Sequence, residues 1–275
     1  MRRSTLRRPA AAAGAVGLTL LAATSCSDRF GAPDPASDRG RSILELWRLL
    51  TVAGLVVGGI VVALIVWCLV RYRDRGDGTE PARFRDHLPL EIAYTAVPLV
   101  IVAALFAATL GTERTVDAMS AGPDVTVRVT AFNWGWRFEY PELGAVVLGH
   151  PGAPPELVVP AGRRVRFVLT SNDVIHAFFV PGFLFKRDAI PGIVNEFEVV
   201  PEGPGRVFRG QCAEFCGLDH AAMDFTVRVE TADAFDAWAA TAAASSSAPP
   251  TRSAPPTRSA PPTTSGSPIS VASPS

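Results

Sequence analysis

Residues 49–70, LLTVAGLVVGGIVVALIVWCLV, run for 22 positions without a charged side chain, between Arg48 and Arg71. Coiled as a helix at about 1.5 Å per residue, such a run is roughly 33 Å long, enough to cross the hydrocarbon core of a bilayer. Lipid offers no hydrogen bonds to a backbone, so a lone run of this length must satisfy its own as a helix. A second apolar run, Ile92 to Leu110, carries Pro98 in its first turns, where a missing N–H is tolerable. The connection between them holds Arg71, Arg73, Arg75, Arg83 and Arg85, the bias expected of a cytoplasmic loop. The pattern predicts a two-helix transmembrane hairpin over 49–110 with both chain ends outside. Cys68, within the first span, has no metal-binding neighbour in sequence and reads as packing.

Ahead of the hairpin, residues 1–26 join Arg2, Arg3, Arg7 and Arg8 to an apolar run from Ala10 to Ala23 and then Thr-Ser-Cys, the order of a secretory signal. Cys26 stands where a lipoprotein signal is cleaved and acylated, although Ala23 replaces the usual Leu three residues earlier. Lipidation and ordinary signal cleavage or retention therefore both stay open. Residues 27–48 are expected to be an exported linker, polar and rich in Pro and Gly in its first part.

From about Val116 the pattern changes. The segments 125–132, 136–140, 155–160, 163–171, 174–182, 193–200, 206–212 and 223–230 are short and rich in β-branched and aromatic residues. Gly, Pro, Asn and Asp turns divide them, which predicts a β-sandwich or barrel. An amphipathic helix over Ala232 to Thr241, with Thr231 as its N-cap, closes a domain spanning 111–242. That domain holds 17 acidic and 11 basic residues, a net charge of −6 concealed by the formal net charge of zero for the whole chain. An acidic exterior attracts basic partners over distances up to about 8 Å in physiological salt. Residues 243–275 repeat APPT at Ala248, Ala254 and Ala260 in Ser, Thr, Pro and Ala, and are expected to be disordered.

The chemistry is concentrated in Gln211 to Met223, QCAEFCGLDHAAM. Cys212, Cys216, His220 and Met223 stand in the spacing C-x3-C-x3-H-x2-M, and a further imidazole, His176, lies upstream in SNDVIHAFFV. Thiolates and imidazoles select soft or borderline metals, and a thioether is a ligand that copper uses and zinc rarely does. Two other readings stand beside a copper site. A structural zinc site of two Cys and two His leaves Met223 without a role and favours shorter Cys spacings. A Cys212–Cys216 disulfide accounts for neither histidine. With such a loop before the last strand, the domain has the look of a cupredoxin.

At these residues the chain resembles subunit II of the haem-copper cytochrome c oxidases, in a bacterial, actinobacterial-like form, over most of residues 41–242. The resemblance implies a dinuclear copper A centre: Cys212 and Cys216 bridging two coppers, His176 and His220 each capping one. Met223 would be a weak axial ligand to one copper and the backbone carbonyl of Glu214 would serve the other. It further implies that the Glu214 carboxylate contributes to a magnesium or manganese site shared with subunit I. Glu91, in LPLEIAYTAVP, matches a carboxylate at the entrance of a proton channel; its plain alternative is a solvated helix-start residue, with His87 an interfacial neighbour.

Trp134 and Trp136, two apart in AFNWGWRFEY, are expected on one face of an extended segment. The resemblance gives Trp134 the role of accepting the electron from cytochrome c and leaves Trp136 to pack against the site. Gly135 stands where the family often has another aromatic. Asp173 is read as a brace for the ligand strand or docking surface, and His150 as a loop histidine. The implied function is that of a respiratory oxidase subunit in the cell membrane, with its metal domain on the outer face. It would take electrons from cytochrome c, or a cytochrome c domain of the preceding complex, and pass them to haem in subunit I. Oxygen reduction and most of the proton pumping would occur in that partner; subunit III would complete the assembly, and nucleic acid has no place in it. A copper-A-bearing nitric oxide reductase subunit and a structural quinol-oxidase-like subunit are the alternatives. The second normally lacks these ligands, and no C-x-x-C-H for covalent haem occurs.

Overall fold

The computed structural model describes residues 29–73 and 86–246. The signal segment with Cys26, the loop arginines Arg75, Arg83 and Arg85, and the tail repeats lie outside the described residues. Helix α1 covers Asp38–Arg71 and helix α2 covers Leu88–Val116; both are long and apolar enough to cross a membrane, and they pack against each other.

Helix α1 starts 11 residues before the apolar run, so residues 38–48 are helix rather than linker. Their charged side chains disguise this, but the start is well specified. Ser37 is an N-cap whose hydroxyl accepts from Gly40 N at 3.0 Å. Gly40 allows the helix to touch the outer domain, since a Cβ there would lie 2.7 Å from the Phe183 carbonyl oxygen. Helix α2 likewise begins earlier than the apolar run, with Pro89 in its first turn, which leaves Pro98 in the helix interior. His87 caps it: its Nδ1 accepts from Leu90 N at 3.2 Å, while Glu91 Oε1 accepts from His87 N at 3.2 Å. The pair satisfies two backbone donors reciprocally. His87 therefore has a defined structural task that its sequence position did not suggest.

The outer domain is a sandwich of two five-stranded sheets. Its strands are β1 (Val125–Phe132), β2 (Gly135–Tyr140), β3 (Ala145–Gly149), β4 (Glu156–Pro160) and β5 (Val165–Ser171). They continue as β6 (His176–Val180), β7 (Phe185–Ala189), β8 (Asn195–Val199), β9 (Val207–Cys212) and β10 (Asp224–Glu230). One sheet has the order β3-β2-β1-β5-β8 and the other β4-β10-β9-β6-β7; the β1–β5 and β4–β10 pairs are parallel. β1, β5 and β10 alternate buried with more exposed positions, as strands covered on one face must. Trp136, Phe138, Phe167, Phe178, Phe197 and Phe225 fill the core, with Phe178 stacked on Phe225 at 4.8 Å between ring centroids.

Helix α3 (Ala232–Ser246) lies against this sandwich through Phe235 and Trp238, which meet Tyr140. The Thr231 hydroxyl accepts from Ala234 N at 3.3 Å, the expected N-cap. The helix runs five residues past Thr241, so residues 243–246 belong to it and not to the tail. The two-sheet sandwich, with a loop of Cys, His and Met residues between β9 and β10, has a cupredoxin-like form.

Candidate metal centre

Strand register gathers the donors. β6 pairs with β9 so that Phe178 faces Cys212, and Ala213 N donates to the Ala177 carbonyl at 3.0 Å, which carries His176 to the end of β9. Cys212 N donates to the Met223 carbonyl at 3.1 Å and closes the loop from β9 to β10. Trp136 Nε1 donates to the same carbonyl at 3.2 Å from the core. Met223 is thus held at its backbone from two sides.

His176, Cys212 and Cys216 are buried, with donor atoms all within 4.8 Å of one another. The polar atoms form a row: His176 Nδ1 lies 3.8 Å from Cys212 Sγ, that sulfur 3.9 Å from Cys216 Sγ, and Cys216 Sγ 3.6 Å from His220 Nδ1. Met223 Sδ is 3.9 Å from Cys216 Sγ, and the Glu214 carbonyl oxygen is 3.3 Å from Cys212 Sγ. The cysteines are free thiols. A disulfide would need the sulfurs at about 2.05 Å, so that reading of the pair is overturned.

Asp173 organises the outer side of His176. Its Oδ1 accepts from His176 Nε2 at 2.9 Å and from Val174 N at 2.7 Å, while its Oδ2 accepts from Asn133 N at 2.6 Å. With the proton held on Nε2, Nδ1 is left as the nitrogen available to a metal beside Cys212. Burial pushes Asp173 up, but the bonds from His176, Val174 and Asn133 outweigh it and hold its carboxyl below the usual range. Burial pushes His176 down, and Cys212 and Asp173 more than reverse this.

The thiols split. Burial raises Cys212, yet hydrogen bonding from His176 and nearby backbone brings it down to about 6. Burial and then the charge on Cys212 push Cys216 up to about 12. Two thiolates this close repel unless a cation lies between them.

Trp134 and Trp136 do not share a face. Trp134 lies in the two-residue turn between β1 and β2, half-buried, whereas Trp136 is fully buried with its ring 6.3 Å from that of His176. Gly135 cannot carry an aromatic here, because a Cβ would fall 2.2 Å from the Gly149 carbonyl oxygen and 2.7 Å from Phe132 Cζ. Trp134 Nε1 donates to the Cys216 carbonyl at 3.2 Å. Gly217, with φ of +119°, turns the loop beneath the indole, and a Cβ there would be 3.0 Å from Trp134 Cζ2. Sequence reading overlooked Gly217; the signal was a glycine directly after the second cysteine, where the chain must reverse. The Glu214 side chain is exposed, Glu91 lies in the first turn of α2, far in sequence from the other candidates, and His150 sits in an exposed turn.

The family described as cytochrome c oxidase subunit II, periplasmic domain, matches residues 153–230. A probable cytochrome c oxidase subunit 2 of Streptomyces avermitilis is 37% identical, the match covering 82% of this chain and 84% of that protein. The cytochrome c oxidase subunit 2 of Mycobacterium tuberculosis is 31% identical, with 83% and 79% covered. The periplasmic domain of subunit II of cytochrome oxidase from Bradyrhizobium japonicum has 36% identity and a TM-score of 0.42, covering 46% of this chain and 99% of that one. With 37% identity over 82% of its length to one of these relatives, the chain belongs to the cytochrome c oxidase subunit II family.

Proposed function

We propose that this chain is the electron-accepting subunit of a respiratory cytochrome c oxidase, holding two copper ions at the thiol row. One observation carries the reading: six donors, not four, are gathered, two of them buried thiols with two further donors against each. His176 and the Glu214 carbonyl lie against Cys212, and His220 and Met223 against Cys216. A single tetrahedral zinc would use four; the thioether and carbonyl have a place only in a larger centre. Copper held by Cys212, Cys216, His176, His220, Met223 and the Glu214 carbonyl would supply one-electron storage with little change in bond lengths on oxidation or reduction.

The protein's own residues do the rest. Asp173 fixes the His176 tautomer, Trp136 and Cys212 N pin the Met223 backbone, and the aromatic core excludes water from the inner side. Trp134, half-buried and bonded to the loop, is the surface at which cytochrome c, or a cytochrome c domain, delivers its electron. The electron then passes to haem in subunit I, where oxygen is reduced and protons are pumped. The Glu214 carboxylate contributes to a magnesium or manganese site against subunit I, and Glu91 marks the entrance of a proton channel. The hairpin inserts beside subunits I and III, with the sandwich on the outer face of the cell membrane.

The full chain, purified in detergent and loaded with copper, should bind two ions and turn purple through thiolate-to-copper charge transfer. One zinc per chain, colourless and not displaced by copper, would overturn the assignment.

A further inference from the structure

We infer that the crevice between the first turns of α1 and the 29–35 segment binds the phosphate of an anionic phospholipid headgroup in the outer leaflet. The inference rests on α1 crossing the membrane and is otherwise independent of the metal centre. A half-open cavity of about 250 Å³ lies there, lined by Arg29, Asp34, Arg41, Leu44, Glu45 and Arg48 among others. Arg41, Glu45 and Arg48 are four and seven residues apart, so one helix face carries all three. Arg48 directly precedes the charge-free run. Arg41 stands about 10 Å higher along the axis, a distance comparable with the headgroup layer on one side of a bilayer.

The surroundings fit a lipid better than a free anion. Trp47, 46% exposed, lies at the depth where interfacial aromatics sit, and Leu49, Leu50 and Val52 continue the exposed surface into the apolar run. A phosphate seated among the arginines would lay its acyl chains along that surface. Among the described residues lining the cavity there are three guanidinium groups and two carboxylates, a small cation excess. Asp34 is already engaged by Arg29 at 2.9 Å and by Arg206 at 3.2 Å, and Arg41 pairs with Glu202. Arg29 Nε is nevertheless buried without a hydrogen-bond partner among the described residues. A buried donor of this kind is costly to leave unmet, and a phosphate oxygen would meet it. Three arginines disfavour a metal cation at the same place.

The test uses the full chain in nanodiscs containing phosphatidylglycerol or phosphatidylcholine, followed by native mass spectrometry of the lipid retained on release from the disc. Wild type should keep one phosphatidylglycerol and no phosphatidylcholine. Arg29→Gln and Arg48→Gln should each lower retention about fivefold. Leu44→Trp, which fills the cavity and leaves every charge in place, should evict the lipid, whereas Glu45→Gln should strengthen its hold. Circular dichroism reports whether each variant keeps its β and helical content. Equal retention across these folded variants, equal retention of the two lipids, or displacement by millimolar inorganic phosphate would overturn the proposal. A chain that fails to enter nanodiscs at all would instead refute the membrane span, so the two failures are distinguishable.

Discussion

The indole of Trp134 is bonded directly to the backbone of Cys216, its Nε1 donating to the carbonyl at 3.2 Å. A partly exposed ring is thereby linked, through one hydrogen bond and one residue, to a buried thiol of the metal centre. Trp134→Ala should slow copper reduction by bound cytochrome c while leaving the copper spectrum normal, and should weaken docking by no more than about 2 kcal/mol. Stopped-flow reduction at saturating donor is the measurement. A wild-type rate there would move the point of electron acceptance elsewhere. Gly217→Ala should have a milder form of the same effect, because its Cβ would press on the ring.

The metal-free protein should hold one thiolate, not two, at neutral pH. Cys212 lies at about 6 in the fold, against about 8.5 for an ordinary thiol. A depressed value means that its contribution to stability is fully present above about 8.5 and is lost as pH falls through 6. Cys216, pushed up to about 12, stays protonated until a cation arrives. Copper uptake should therefore release protons, and the apparent affinity should drop more steeply below about pH 6. Thiolate absorbance against pH, with a chelator competition at each pH, checks both; two thiols titrating together near 8.5 would contradict the split.

Met223→Leu should leave the fold and both metals in place, costing less than about 1.5 kcal/mol as a volume-conserving core exchange. The Met223 side chain is 1% exposed, and its sulfur lies 3.9 Å from Cys216 Sγ. The copper potential should shift. Cys216→Ser, by contrast, should give a different copper species or none. Electron paramagnetic resonance separates the outcomes, and identical spectra for wild type and Cys216→Ser would refute the shared-thiolate reading.

Glu91 and His87 cap α2 together, so two substitutions divide structure from proton supply. His87→Ala should cost about 1 kcal/mol of helix stability, as a lost N-cap does, with turnover of the assembled oxidase unchanged. Glu91→Gln keeps an oxygen for the His87 N–H but cannot take up a proton. Steady-state turnover should fall while reduction of copper by cytochrome c is untouched. Equal turnover in the two variants would leave Glu91 as a capping residue alone.

That Cys212, Cys216, His220 and Met223 come together was legible because they lie close in sequence in one short loop. The hairpin was legible because 22 uncharged residues admit one conformation in lipid. What escaped depended on contacts between distant parts of the chain. β7 reads FKRDA at a sheet edge, with three charged residues in a row, so no apolar alternation announces it. β3, AVVLG, is the other sheet's edge and too short for a clear period. The first turns of α1 carry arginines and acids that resemble a linker until Ser37 and Gly40 are seen against the sandwich. Trp134 and Trp136 part company because a turn, invisible in their spacing, falls between β1 and β2.

That seating of α1 also fixes a length. Asp38 N donates to the Val200 carbonyl at 3.2 Å, Val200 N donates back to Asp38 Oδ1 at 2.8 Å, and Ala36 is bonded on both sides to Gly182 and Glu202. The membrane helix therefore joins the sandwich without a flexible tether. Tunnelling rates fall off exponentially with distance, so an outer domain free to sway would make every transfer wait for a rare close approach. Here the distance from the thiol row to the first turns of α1 is set by those backbone bonds rather than by a linker.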